Sequence, residues 1–221
     1  MSDEPLDIVA AIPWFAGQPP ALRSALLAAG RLSRRGAGEW VHGEGDEETG
    51  VLAVVDGGLK LYSQASGGRE ALFGLLPAGT VIGQSAAFGG GPRIVTAIAA
   101  RPSQIFTLSD RALRQVAAAQ PELWQALSAL VYGQLRNMTQ GLAELLALKP
   151  RERMIARLLQ FAAMTGGVAE VSQADLAEMI GVTRKAVNGW LGALEAEGRL
   201  RVGYGEVEVL DRPGLERMLA G

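Results

Sequence analysis

The segment from Val171 to Leu194 restricts the fold more than any other part of this 221-residue chain. Ser172 can accept hydrogen bonds from backbone amides at a helix start, and Asp175, just downstream, suits the positive end of that helix. Leu176, Ala177 and Ile180 fall on one helical face. Gly181 stands where a tight turn calls for a positive φ, which costs glycine little. Val182 plugs the turn, Thr183 can cap a second helix, and Val187, Leu191 and Leu194 recur at helical spacing toward a core. The small Ala177 side chain lets the helices cross closely. The pattern predicts two short helices packed across a turn, with Trp190 in the core beneath the segment that follows.

This arrangement leaves Arg184, Lys185 and Asn188 on the outward side of the second helix, near its start. A helix entering the DNA major groove reads base edges with residues so placed. Arginine or lysine matches guanine O6 and N7, and asparagine matches adenine N6 and N7. Thr183, Ser172, Gln173 and Lys149 complete the expected DNA-facing set, Lys149 as a phosphate contact. The competing reading is a solvated helix face with ordinary charges. Overall charge does not favour a polyanion: the formal net charge is −2. Residues 149–221 hold equal numbers of basic and acidic side chains. DNA contact must therefore come from local clusters, with Arg151, Arg153, Arg157, Arg199 and Arg201 as further candidates.

Upstream, residues 38–108 are glycine-rich and built of short apolar runs. Val51–Val55, Leu59–Gln64 and Glu70–Leu76 are separated by Asp56-Gly57-Gly58 and Gly67-Gly68, which read as hairpin turns because they tolerate positive φ. Ile94–Ala99 and Gln104–Leu108 read as closing strands. Many short strands at short spacing predict an antiparallel roll of the jelly-roll or double-stranded β-helix type. The chain as a whole is then α+β.

Beyond residue 110 the spacing turns helical. Trp124, Ser128, Val131, Leu135, Met138, Leu142 and Leu145 alternate steps of four and three, the seam of a coiled coil. A second apolar edge, Leu123, Leu127 and Leu130, suits packing against the roll. The seam itself fits either a partner chain or the roll, and Gly141 tolerates a close neighbouring backbone. Lys149-Pro150-Arg151 ends this helix. The expected division is therefore 1–148, a roll with a dimerisation helix at about 121–147, and 149–221. The second part holds a helix from Arg151 to Met164, the paired helices, a hairpin within 199–210 and a last helical turn or two around Leu215.

Several chemistries are excluded. The chain has no cysteine, which removes disulfides, cysteine-ligated iron–sulfur clusters, thiolate zinc and a cysteine nucleophile. Its single histidine, His42, rules out a multi-histidine metal site and reads as an exposed turn residue. No Gly-x-Ser-x-Gly or Walker lysine pattern is present, so no enzyme is expected. No signal-peptide pattern and no apolar run of membrane length is found, which points to the cytoplasm.

The 171–194 segment and the hairpin after it resemble the winged helix of the Crp/Fnr regulators. The upstream half agrees: Gly38-Glu39, Gly45-Asp46 and Asp56-Gly57-Gly58-Leu59-Lys60-Leu61 resemble a cyclic-nucleotide-binding domain, with Gly83 to Arg93 in the place of its phosphate-binding cassette. The resemblance implies a homodimeric transcription regulator bound to a pseudo-palindromic duplex, with RNA polymerase as a further partner. It implies a ligand site at Gly83, Gln84, Ser85, Arg93, Ile94 and Thr139, and a dimer interface at Trp124, Val131, Leu135, Met138, Leu142 and Leu145. Departures bear on both sites. Gln84 replaces the glutamate that meets a ribose hydroxyl, and Ile94 replaces a hydroxyl residue, which weakens the case for cyclic AMP over another small ligand or none. In that last case Arg93 is a surface charge. On the second helix Lys185 stands for glutamate and Gly189 for arginine, which implies a different half-site. The alternative function is a ligand sensor whose winged helix contacts protein instead of DNA.

Overall fold

The computed structural model describes residues 4–84 and 90–219. The chain forms two compact units, Met1–Asn137 and Met138–Gly221. The first begins with α1 (Glu4–Ala11), α2 (Pro13–Ala16) and α3 (Pro20–Ala29). Strands β1 (Arg31–Arg35), β2 (Trp40–His42), β3 (Gly50–Asp56), β4 (Gly58–Ala65), β5 (Arg69–Pro77), β6 (Val81–Gln84), β7 (Thr96–Ala99) and β8 (Ser103–Ser109) follow. Helix α4 (Asp110–Ala119) and the long α5 (Leu123–Ala147) come next, and α5 continues into the second unit.

The strands make two antiparallel four-stranded sheets, ordered β1-β8-β3-β6 and β2-β7-β4-β5. Strand β3 explains why its sequence is an unbroken apolar run: both faces are covered. Leu52 and Val54 meet Leu59, Leu61, Ala97, Ala99 and Ile105 between the sheets. Val51, Ala53 and Val55 face the other way and pack with Phe106, Leu108 and residues of the helices.

The Gly67-Gly68 turn joins β4 to β5 as a hairpin, both glycines at positive φ. Asp56-Gly57-Gly58 does not make the expected hairpin. Strand β3 pairs with β6 and β8, whereas β4 pairs with β5 and β7, so this turn carries the chain from one sheet to the other. Gly57 is required there twice over: its φ is +84°, and a Cβ would lie 2.5 Å from the Pro102 oxygen. The closing strand starts at Thr96, which leaves Ile94 outside it.

Leu123 and Leu127 are buried and Leu130 packs on the same core, so the second apolar edge of α5 covers the roll. On the seam edge, Val131, Leu135, Met138, Leu142 and Leu145 are each about half exposed, Leu135 at 61%.

In the second unit α6 (Pro150–Met164) and β9 (Val168–Ala169) are followed by α7 (Gln173–Ile180), α8 (Arg184–Ala196), β10 (Leu200–Val202), β11 (Val207–Val209) and α9 (Arg212–Leu219). The break before α6 has a local cause: Lys149 is extended ahead of Pro150, and its backbone amide donates to Glu152 Oε2 at 2.8 Å. The expected hairpin is β10–β11, and β9 adds a third strand beside β11. Among the described residues no helix is long and apolar enough to cross a membrane.

Candidate nucleic-acid interface and ligand pocket

The turn between α7 and α8 is built by the residues its sequence singles out. Ser172 Oγ accepts from the Asp175 amide at 3.0 Å and Thr183 Oγ1 from the Ala186 amide at 3.3 Å. Gly181 takes the left-handed conformation, with φ +72°. Leu176, Ala177, Ile180, Val187, Leu191 and Leu194 are buried, which turns the opposite face of α8 outward. Arg184, Lys185 and Asn188 are exposed on it, and Thr183 is exposed at its start. Asn188 Nδ2 donates to Gln173 Oε1 at 3.1 Å, joining the two helices. Trp190 is half-buried rather than a full core residue.

The other basic candidates are engaged elsewhere. Arg153 donates to the carbonyls of Leu145 and Ile180, the negative ends of α5 and α7. Arg157 pairs with Glu144 at 3.3 Å, and its guanidinium lies beside Gly141. Arg151 stands 4.0 Å from Glu197. Arg199 bridges Glu197 and Asp211, and Arg201 pairs with Glu208 at 2.6 Å. The hydrogen bond to Glu197 foremost raises the Arg199 pKa. Exposed Arg184 and Lys185 on α8 and exposed Lys149 are thus the remaining cations of the expected set.

In the roll, Gly83 belongs to β6 and allows a close approach: a Cβ there would lie 2.8 Å from Val51 Cγ2 and 3.0 Å from Leu130 Cδ2. Ser85 and the side chain of Gln84 lie outside what is described. Ile94 is 61% exposed, and Thr139 is exposed on α5 in the second unit. Arg93 is buried and is no surface charge. Its Nε donates to the Glu48 carbonyl and its Nη1 to the Gly50 carbonyl, each at 3.1 Å. Burial works against the charge of Arg93, while Asp110 and Asp46 sustain it.

Arg93 lines an open cavity of about 790 Å³ with His42, Asp46, Thr49, Thr107 and Asp110, among others. His42 is not the exposed turn residue expected. It ends β2, half-buried, and burial first, then Arg93, lowers its pKa to about 4. It is therefore neutral near pH 7.

Comparison with known proteins agrees with this geometry in both units. The cyclic nucleotide-binding domain profile matches residues 34–120, and the Crp-like helix-turn-helix domain profile matches residues 152–218. The chain belongs to the Crp/Fnr family of transcription regulators. A CRP-like cAMP-activated global transcriptional regulator of Mycobacterium tuberculosis is 27% identical over 81% of this chain and 84% of its own length. The catabolite activator protein of Thermus thermophilus superposes with a TM-score of 0.53 at 26% identity, covering 95% of this chain and 99% of its own. FixK2 of Bradyrhizobium japonicum shares the fold, with a TM-score of 0.76 at 22% identity over 87% and 98% of the two chains.

This Crp/Fnr regulator is thus a DNA-binding protein and not an enzyme. It carries a cyclic nucleotide-binding domain, with Gln84 and Ile94 in its cassette. Two of the five Arg93 N–H donors are held by backbone carbonyls, which leaves three for an anion, and Ile94 has no hydroxyl to add. Sequence reasoning missed the partners that hold Arg93, because Glu48, Gly50 and Asp110 are remote from it along the chain and no local pattern links them.

Proposed function

We propose that this Crp/Fnr regulator acts as a homodimer whose two α8 helices enter successive major grooves of a pseudo-palindromic duplex, about 34 Å apart. The observation that carries this reading is the exposed seam of α5. Val131, Leu135, Met138, Leu142 and Leu145 form an apolar stripe at heptad spacing, half exposed throughout, and a second copy of the same helix complements it. Arg184, Lys185 and Asn188 then read bases, Thr183, Ser172 and Gln173 lie alongside, and Lys149 meets phosphate. A small ligand in the roll shifts the seam and re-aims the winged helices. A cyclic nucleotide would engage the Arg93 donors that the Glu48 and Gly50 carbonyls leave over.

Sedimentation combined with selection of genomic fragments tests this. The expected result is a dimer that enriches one palindrome, with affinity falling steeply as salt rises because phosphate contacts release counterions. A monomer, or recovery of random fragments, overturns it. Random recovery would favour a protein-contacting output, a reading that the carboxylate-paired Arg199 and Arg201 of the wing region support. Calorimetric titration with cyclic AMP, cyclic GMP and cyclic di-GMP tests the switch.

A further inference from the structure

Gln173 opens α7 and Asn188 lies one turn into α8, and their side chains meet across the helix pair. We propose that Gln173 is a positioning residue that sets the Asn188 amide to read adenine. This rests on the DNA-reading function proposed above and adds which base is read and what enforces it.

Asn188 is exposed, and an exposed asparagine can turn either end of its amide outward. The hydrogen bond to Gln173 Oε1 selects one orientation. Among the described residues this is the one side-chain partner of Asn188. The amide nitrogen carries two hydrogens and the oxygen two lone pairs. With one hydrogen committed to Gln173, a hydrogen and Oδ1 remain side by side at the groove-facing end. That donor–acceptor pair complements adenine, whose N7 accepts and whose N6 amino group donates. The polarity of the bond therefore decides which end of the amide faces Gln173. Were Gln173 to donate to Asn188 Oδ1 instead, the amide would be turned end for end, and its remaining donor and acceptor would meet adenine N7 and N6 in the reverse order.

Neighbouring groups leave this edge to Asn188. Arg184 precedes it by one turn on the same face and is exposed. Gly189 brings no side chain, and a Cβ there would meet nothing within 4 Å. Asp175, the acidic group in the first turn of α7, accepts from Ser172 Oγ.

The test is selection of bound duplexes from a random pool by the full-length protein and by N188A, Q173A and Q173E. Wild type should enrich a site with one adenine per half-site that N188A no longer selects. Q173A should lose preference at that same base pair by about tenfold or more, the order of one bidentate base contact, and keep its other preferences. Q173E, an acceptor only, should bind more weakly to every duplex yet keep the adenine. Thermal melting checks that each variant is folded, and Q173E preserves the test if Q173A is not. A uniform loss of affinity in Q173A with the adenine preference intact would make Gln173 a phosphate contact and overturn the proposal. Loss of the adenine in Q173E overturns it too. If wild type enriches no site, the DNA-reading function fails and this with it. If it enriches a site that N188A leaves unchanged, only this proposal fails.

Discussion

Arg93 Nη1 donates to the main-chain oxygen of Gly50 across 3.1 Å, linking the end of the cassette to the first residue of β3. The same guanidinium holds the Glu48 carbonyl through Nε. Its role in this state is to close the 43–50 segment onto the roll. The backbone repeats the link, since Gly45 donates to the Arg93 carbonyl at 2.7 Å and Arg93 donates to that of Asp46 at 2.8 Å.

Arg93→Ala should therefore destabilise the roll whether or not a ligand is bound. Two carbonyls lose a charged donor, and hydrogen bonds to charged groups contribute about 1.5–3 kcal/mol each. A loss of about 2 kcal/mol or more is expected from urea denaturation of the ligand-free protein. Unchanged ligand-free stability, with nucleotide binding abolished, would mean that Arg93 serves the ligand alone.

Leu135→Glu tests the seam. Leu135 is 61% exposed in the single chain, so a charge there costs the subunit little, whereas facing glutamates in a coiled-coil seam repel and are desolvated. The expected product is a folded monomer by analytical ultracentrifugation, with operator affinity reduced at least tenfold. A dimer of wild-type strength would place the interface elsewhere.

The turn glycine and the helix glycine of the DNA-binding unit should respond in opposite directions. A Cβ at Gly181 would meet nothing within 4 Å, but φ there is +72°. Gly181→Ala should thus cost about 1–2 kcal/mol from backbone conformation alone. At Gly189 the space is equally open and the backbone is helical, so Gly189→Ala should stabilise by up to about 1 kcal/mol. Thermal unfolding of the two variants checks the contrast. If Gly189→Ala also weakens DNA binding, the missing side chain serves close approach to the duplex.

The parts of the fold that were legible in the sequence are those with local causes. Ser172, Gly181 and Thr183 specify caps and a turn within a few residues of themselves, and all three act as their types suggest. Gly67-Gly68 likewise belongs to a local hairpin. Asp56-Gly57-Gly58 looks the same in sequence, but whether a turn joins neighbouring strands depends on the whole sheet order. The helices α1 to α3 carry a weaker local mark, Pro13 and Pro20 at the first-turn positions of α2 and α3, a signal proline gives at helix starts. Charge was the least legible feature. Arg201 and Glu208 pair through strand register and Arg199 with Asp211 through the path of the chain after β11. A cluster of basic residues in sequence thus became a set of ion pairs in space, with Arg184 and Lys185 left outward on α8. The bond from Asn188 to Gln173 needed the same crossing geometry to appear.

His42 supplies a pH-dependent test of the pocket. Its pKa in the folded protein is lowered to about 4, by burial first and then by Arg93, with Asp46 opposing. In the unfolded chain it titrates near 6.5. Between these values the unfolded state binds a proton that the folded state excludes, so stability rises with pH across that window. Lowering the pH from about 6.5 toward about 4 should therefore weaken the roll, and the loss should become complete only below the folded value. Carboxylates titrate at the acid end as well, so the informative quantity is the difference between wild type and His42→Gln. The glutamine variant cannot take up this proton, and its stability should decline less between pH 7 and pH 4.5 in urea denaturation. Equal declines would show that His42 is hydrated in solution and titrates as freely in the folded roll as in the unfolded chain.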